Sequence, residues 1–196
     1  AQGGEVVQNQ AIETATIANG GTTTFFGTLS RNTRQLRGTC NNTRGMFFGG
    51  YRTGSPYYAE NHIDYITISS NGNAADFGDL TQPRAQASCT AHSTRAVAAG
   101  GGGDPWPGGS VNFIDYVTIA STGNAQDFGD LSLGRDQLAS SGSSGRGIFG
   151  GGCCPRRDRI DYVTIASTGN ATDFGDLTGA TGNLPGGCSD VHGGLG

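Results

Sequence analysis

Three copies of Asp-Phe-Gly, three His and five Cys are the residues of this chain whose types could do chemistry. Asp76-Phe77-Gly78, Asp127-Phe128-Gly129 and Asp173-Phe174-Gly175 spell the magnesium-holding triplet of a protein kinase, an element that also needs a strand lysine and a catalytic loop. The chain has no lysine: all 12 of its basic residues are Arg. The same absence removes a Walker phosphate loop and Schiff-base chemistry. The triplets therefore read as a core Phe beside a Gly that supports a bulge. Asn73 with Asp76 and Asp79, and their equivalents, could gather oxygens for Ca²⁺, but the alternate acidic spacing of an EF-hand loop is missing. Such residues more commonly cap turns. His62, His92 and His192 share no metal-ligand spacing, and without a C-x-x-C the sequence argues against a zinc site. No cofactor, metal or catalytic residue is expected.

These residues lie in repeated text. Ile63 to Leu80, Ile114 to Leu131 and Ile160 to Leu177 are near-copies, and Ile12 to Leu29 is a worn fourth. In each, the opening Ile and the late Phe (Phe26, Phe77, Phe128, Phe174) stand 14 positions apart, and the copies recur after 51, 51 and 46 residues. A period in this range marks a repeat architecture. Ile63-Asp64-Tyr65-Ile66-Thr67-Ile68 alternates with β-branched and aromatic residues, which predicts a strand. Asn71-Gly72-Asn73 predicts a tight turn after it. With strands at Gly45 to Gly50, Asp76 to Leu80 and Ala85 to Thr90, the stretch Gly45 to Arg95 is expected to be a four-stranded meander. Asp64, Asp115 and Asp161, each just before the strand Tyr, are expected to pair with the repeat Arg residues.

Composition sets the limits. The 196 residues suit one domain or one array, read here as a single repeat domain with units at about 1–44, 45–95, 96–146 and 147–196. Gly and Pro make up about a fifth of the chain, below the roughly 25–30% that signals disorder when unperiodic, and the glycines recur at fixed positions. A net charge of −4 gives no reason to expect nucleic acid. No apolar run approaches the roughly 20 residues of a membrane-spanning helix. No signal peptide is visible, and a start at Ala1 rather than Met is read as processing.

The double glycines Gly49-Gly50, Gly100-Gly101 and Gly151-Gly152 follow hydrophobic strands. Together with Tyr65, Tyr116 and Tyr162, with Phe77, Phe128 and Phe174, and with Arg84 and Arg135, they give the chain a pattern that resembles the kelch repeat. Kelch repeats usually carry Trp where these Phe stand, and Thr33 and Thr181 replace the expected Arg. The near-verbatim copies are also similar to kelch-like proteins encoded by bacteriophages. The resemblance, which covers essentially the whole chain, implies an all-β fold: a small propeller of about four four-stranded blades. Its ring would be closed by pairing of N- and C-terminal strands, through Gly3-Gly4 at one end and residues 191–196, with His192 in the place of Arg44, Arg95 and Arg146, at the other. The alternative is an open repeat stack or filament subunit. In a closed ring Cys40 and Cys188 occupy matching positions in adjacent units, as a disulfide or as two buried thiols. Cys153-Cys154 reads as a vicinal disulfide or as two thiols, and Cys89 has no obvious mate.

What differs between units is the connection after each double glycine. One holds Tyr51, Arg52, Tyr57 and Tyr58; one holds Asp104 and Trp106; the short one holds Arg156, Arg157 and Arg159. Tyr, Trp and Arg give broad contact with few rotors and suit sugar faces or protein pockets. Divergent loops on a constant scaffold are how binding modules are built. The resemblance implies a non-enzymatic structural or recognition component of a phage virion, tail fibre or other extracellular appendage. Its partners would be neighbouring subunits, further copies of itself, or a host-surface glycan. A self-assembling extracellular fibre subunit is the alternative. A kelch-like copper oxidase is a third, disfavoured because its His and Tyr ligands must converge on one end.

Overall fold

A computed structural model of the chain describes residues 10–16, 18, 20–52, 58–103 and 109–182. The described residues form sixteen strands in five antiparallel sheets, with no helix. A ribbon pairs β1 (Ala11–Thr14) with β2 (Thr24–Thr28), and another pairs β3 (Thr33–Arg34) with β6 (Tyr51–Arg52). The first four-stranded sheet contains β4 (Arg37–Cys40), β5 (Arg44–Phe48), β7 (His62–Thr67) and β8 (Ala75–Asp79). The second contains β9 (Ser88–Ala91), β10 (Arg95–Ala99), β11 (Phe113–Thr118) and β12 (Gln126–Asp130). The third contains β13 (Ala139–Gly142), β14 (Arg146–Gly150), β15 (Arg157–Thr164) and β16 (Thr172–Thr181).

The sheets are out of phase with the sequence units. The small-residue strand β9 was expected to complete a meander with β8, but it pairs with β10 through the short turn at His92. The meander expected over Gly45 to Arg95 is therefore cut after β8. Residues between β8 and β9 pass from one sheet to the next, and a strand pairs across a tight turn more readily than across such a crossing.

Each long strand is bent at the same place. The register shifts between Ile63 and Asp64, Ile114 and Asp115, and Ile160 and Asp161, where the partners Gly78, Gly129 and Gly175 sit at φ of 144°, 138° and 139°. A bulge re-aims the side chain beside it. Here it turns the following Asp inward: Asp64, Asp115 and Asp161 are buried.

Successive sheets pack face to face. Met46, Phe48, Ile63 and Phe77 of the first sheet form one cluster with Ala96, Ala98, Val117 and Ile119 of the second. Val97, Ala99, Ile114 and Phe128 on the opposite face of the second form another with Phe149, Val163 and Ile165 of the third. The alternation along β10 decides this: its even and odd residues serve different neighbours, so the second sheet is buried on both faces. Each fully buried Phe or Ile contributes roughly 1.5–3 kcal/mol.

A second joint repeats at the outer strands. Gly123 donates its N–H to the Phe77 carbonyl (2.7 Å), Asp79 donates to Asn124 Oδ1 (3.1 Å), and Ala125 donates to the Asp79 carbonyl (2.7 Å). Gly72, Asn73 and Ala74 repeat this against Phe26 and Thr28, and Gly169, Asn170 and Ala171 against Phe128 and Asp130. A Cβ on Gly129 would lie 2.6 Å from Gly169, so only glycine admits the incoming turn. Asn73, Asn124 and Asn170 thus cap the preceding unit's strand rather than their own turn.

Candidate functional site

The buried carboxylates Asp115 and Asp161 are structural ties. Arg84 Nη1 lies 3.0 Å from Asp115 Oδ2, and Arg135 Nη2 donates to Asp161 Oδ2 at 2.6 Å. The expected pairing of repeat Arg with repeat Asp is therefore present for these two. Thr81 and Ser132 cover the remaining lone pairs, with hydroxyl bonds to Asp115 and Asp161 of 2.7 and 2.8 Å. In the first unit Thr33 replaces the Arg, and Asp64 is met by Ser30 and His62 instead.

Ser30, His62 and Asp64 contain the residue types of a nucleophilic triad, but their geometry differs. His62 Nε2 faces both Ser30 Oγ (2.9 Å) and Asp64 Oδ1 (2.8 Å). A relay needs the hydroxyl and the carboxylate on opposite ring nitrogens. His92 Nδ1 accepts the N–H groups of Thr94 and Arg95 and closes the β9–β10 turn; burial, then Arg95, lowers its pKa. His192 lies outside the described residues.

The loops after the double glycines come out unevenly. Tyr51, expected on the rim, is instead buried against Ala59 and Ala85. The short ribbon with Arg34 pulls it in, which corrects its assignment as a contact residue. Arg52 and Tyr58 are exposed, and Arg52 Nε lies 3.5 Å from Glu60 Oε1. Arg156 is exposed. Arg157 and Arg159 are half-buried, Arg159 donating to Asp173 Oδ2 at 3.0 Å. Tyr57, Asp104 and Trp106 lie outside the described residues.

Two grooves occupy equivalent places on this rim. One, of about 290 Å³, lies between Ser30–Thr33 and Arg52 with Glu60. The other, of about 340 Å³, lies between Gln82–Arg84 and Gly103 with Val111. The first is lined by polar and charged groups throughout, whereas the second sets Gln82 and Arg84 beside Pro83, two glycines, Val111 and Phe113.

Behind the grooves, Gln35, Gln86 and Gln137 stack, all at positive φ (57°, 59° and 54°). Gln86 donates its N–H to the Gln35 carbonyl and Gln137 to the Gln86 carbonyl, each at 3.1 Å. Their 51-residue spacing, and that of Ser30, Thr81 and Ser132, was the signal that could have found these two polar sets.

The cysteines divide three ways. Cys153 and Cys154 form a vicinal disulfide, one of the two states left open by the sequence. Cys40 is half-buried and Cys89 buried, both free, and burial pushes the Cys89 thiol up to about 12. Cys188, the proposed mate of Cys40, lies outside the described residues. Asp136 faces Cys153 across a backbone bridge, the Cys153 N–H donating to its carbonyl at 2.8 Å. Burial raises the Asp136 pKa, a bond from Ser110 opposing it.

No protein-family model matches this chain, and no curated protein matches it.

Proposed function

We propose that the chain is a non-catalytic recognition or structural module built as a kelch-like propeller. Its fourth joint would form between the Phe174 face of the last unit and the turn around Gly20 of the first. The resemblance in the repeats points to a phage virion or another extracellular appendage as its setting, with neighbouring subunits or a host-surface glycan as partners.

The observation that carries this reading is a contrast. The joints between units keep the same residues and bonds three times over, whereas the rim grooves differ at each equivalent position that both line. Arg31, Asn32, Thr33, Arg52 and Glu60 in one stand against Gln82, Pro83, Arg84, Gly103 and Val111 in the other. Constancy at the joints serves the scaffold, and divergence at the rim is what selection for a particular ligand leaves. The experiment is a glycan array and a pull-down against candidate appendage subunits, with parent chain and a Tyr58→Ala, Trp106→Ala variant. Binding by the parent and loss in the variant, at unchanged melting temperature, supports the assignment; equal binding by both removes the rim as the site.

A fibre subunit is the second reading, and one observation favours it. Phe174 is 54% exposed, whereas Phe77 and Phe128 are 2% exposed at the same repeat position. A turn from another copy would cover it as well as one from the same chain. Light scattering across a concentration series separates closure from assembly.

A further inference from the structure

We propose that Asp136, Cys153 and Cys154 form a redox-gated binding site for a thiophilic divalent cation of the zinc class, competent once the disulfide is reduced.

The repeats show that this place was altered. The backbone bridge that joins Asp136 to Cys153 joins Ala85 to Gly102 one unit earlier and Arg34 to Tyr51 in the unit before. Only here do a carboxylate and a thiol face each other. Gly152, at φ 111°, makes the approach possible, since a Cβ there would lie 2.9 Å from the Asp136 carbonyl oxygen. One carboxylate oxygen of Asp136 and both Sγ atoms lie within 4.8 Å of one another.

The carboxylate is otherwise hard to account for. Asp136 is 5% exposed, and its Oδ1 has no hydrogen-bond partner among the described residues. A buried carboxylate left half-satisfied destabilises a fold unless something meets it. A cation held between this carboxylate and two thiolates would do so.

The chemistry balances. An external dithiol gives the disulfide two electrons and two protons and leaves as its own disulfide, freeing two thiols. Cys154 is exposed, so the reductant can reach it. On binding M²⁺ the thiols release both protons, giving a donor set of two sulfurs and one oxygen. Thiolates select zinc-class ions over Mg²⁺ or Ca²⁺. With three protein ligands, water takes the fourth position, which makes the metal exchangeable rather than locked in.

The test uses the full chain, reduced with a dithiol, freed of it under nitrogen and titrated with Zn²⁺ against a chromophoric chelator. The reduced parent should hold one zinc per chain and the oxidised parent none. Asp136→Asn should weaken binding tenfold or more, and Cys154→Ser should abolish the stoichiometric site. Cys40→Ser with Cys188→Ser should leave it intact. Equal binding by oxidised and reduced chain, or by Asp136→Asn and parent, overturns the proposal. Asp136→Asn removes a buried charge, so it serves as the deciding variant if Cys154→Ser fails to fold.

Discussion

Arg135 Nη2 stands 2.6 Å from Asp161 Oδ2 with both side chains fully buried, and the same guanidinium donates to the carbonyls of Gly151 and Arg159. One Arg thus fastens the crossing between two sheets to the long strand and double glycine of the next. Burial lowers its pKa, and Asp161 opposes this. Arg135→Met should cost about 3–5 kcal/mol, because it strands a buried carboxylate. Adding Asp161→Leu should recover much of that loss. Urea denaturation of the two variants checks both statements; a single-variant cost under about 1 kcal/mol, the range of an exposed pair, would refute them.

Gly129 and Gly175 share nearly the same φ, 138° and 139°, but a Cβ on Gly129 meets Gly169 and one on Gly175 meets nothing within 4 Å. Replacing each by Ala therefore separates backbone strain from obstruction of the joint. Gly129→Ala should cost at least about 2 kcal/mol, the sum of strain and displaced backbone. If the ring closes as proposed, Gly175→Ala costs as much at every protein concentration. A clearly smaller cost shows an end that the chain does not cover.

The sequence carried the scaffold more legibly than the site. Period-two alternation in residues 63–68 located β7, since that signal is local. The tight turn expected at Asn71-Gly72-Asn73 forms earlier, Ser70 donating its N–H to the Thr67 carbonyl, and Gly72 and Asn73 serve the joint to the preceding unit instead. The phase of the sheets was not local. Whether β9 pairs with β8 or β10 depends on a turn competing with a crossing, and the text repeats identically under either choice. Asp136 was invisible for the same reason: 17 positions separate it from Cys153, and only the bridge between neighbouring loops brings them together. Tyr51 misled because an aromatic after a double glycine looks like a contact residue, and no pattern announced the ribbon that buries it.

Asp136 also sets a pH dependence. Its folded pKa is raised above the ordinary carboxylate value of 3.8 by burial, so the native state holds the proton more tightly than the unfolded chain. The stability from this group is fully present below the unfolded value and is lost as pH rises through the folded one. Asp136→Asn should therefore raise the melting temperature of the oxidised protein more at pH 7 than at pH 3. A gain that is equal at both pH values, or larger at pH 3, would contradict the burial argument.

The rim variants make the last test of the scaffold and its loops as separable parts. Arg52 and Tyr58 are exposed, and the nearest tie, from exposed Arg52 to half-buried Glu60, spans 3.5 Å and is worth about 0–1 kcal/mol. Arg52→Ala and Tyr58→Ala should change stability by no more than about 0.5 kcal/mol each. Tyr51→Ala, a few residues away but buried, should cost about 3–5 kcal/mol. The ratio of those costs is read from thermal melts, and it distinguishes a side chain that holds the ribbon from two that face the solvent. If Tyr58→Ala proved as destabilising as Tyr51→Ala, Tyr58 would belong to the fold, and the contact surface would have to be sought on other loops.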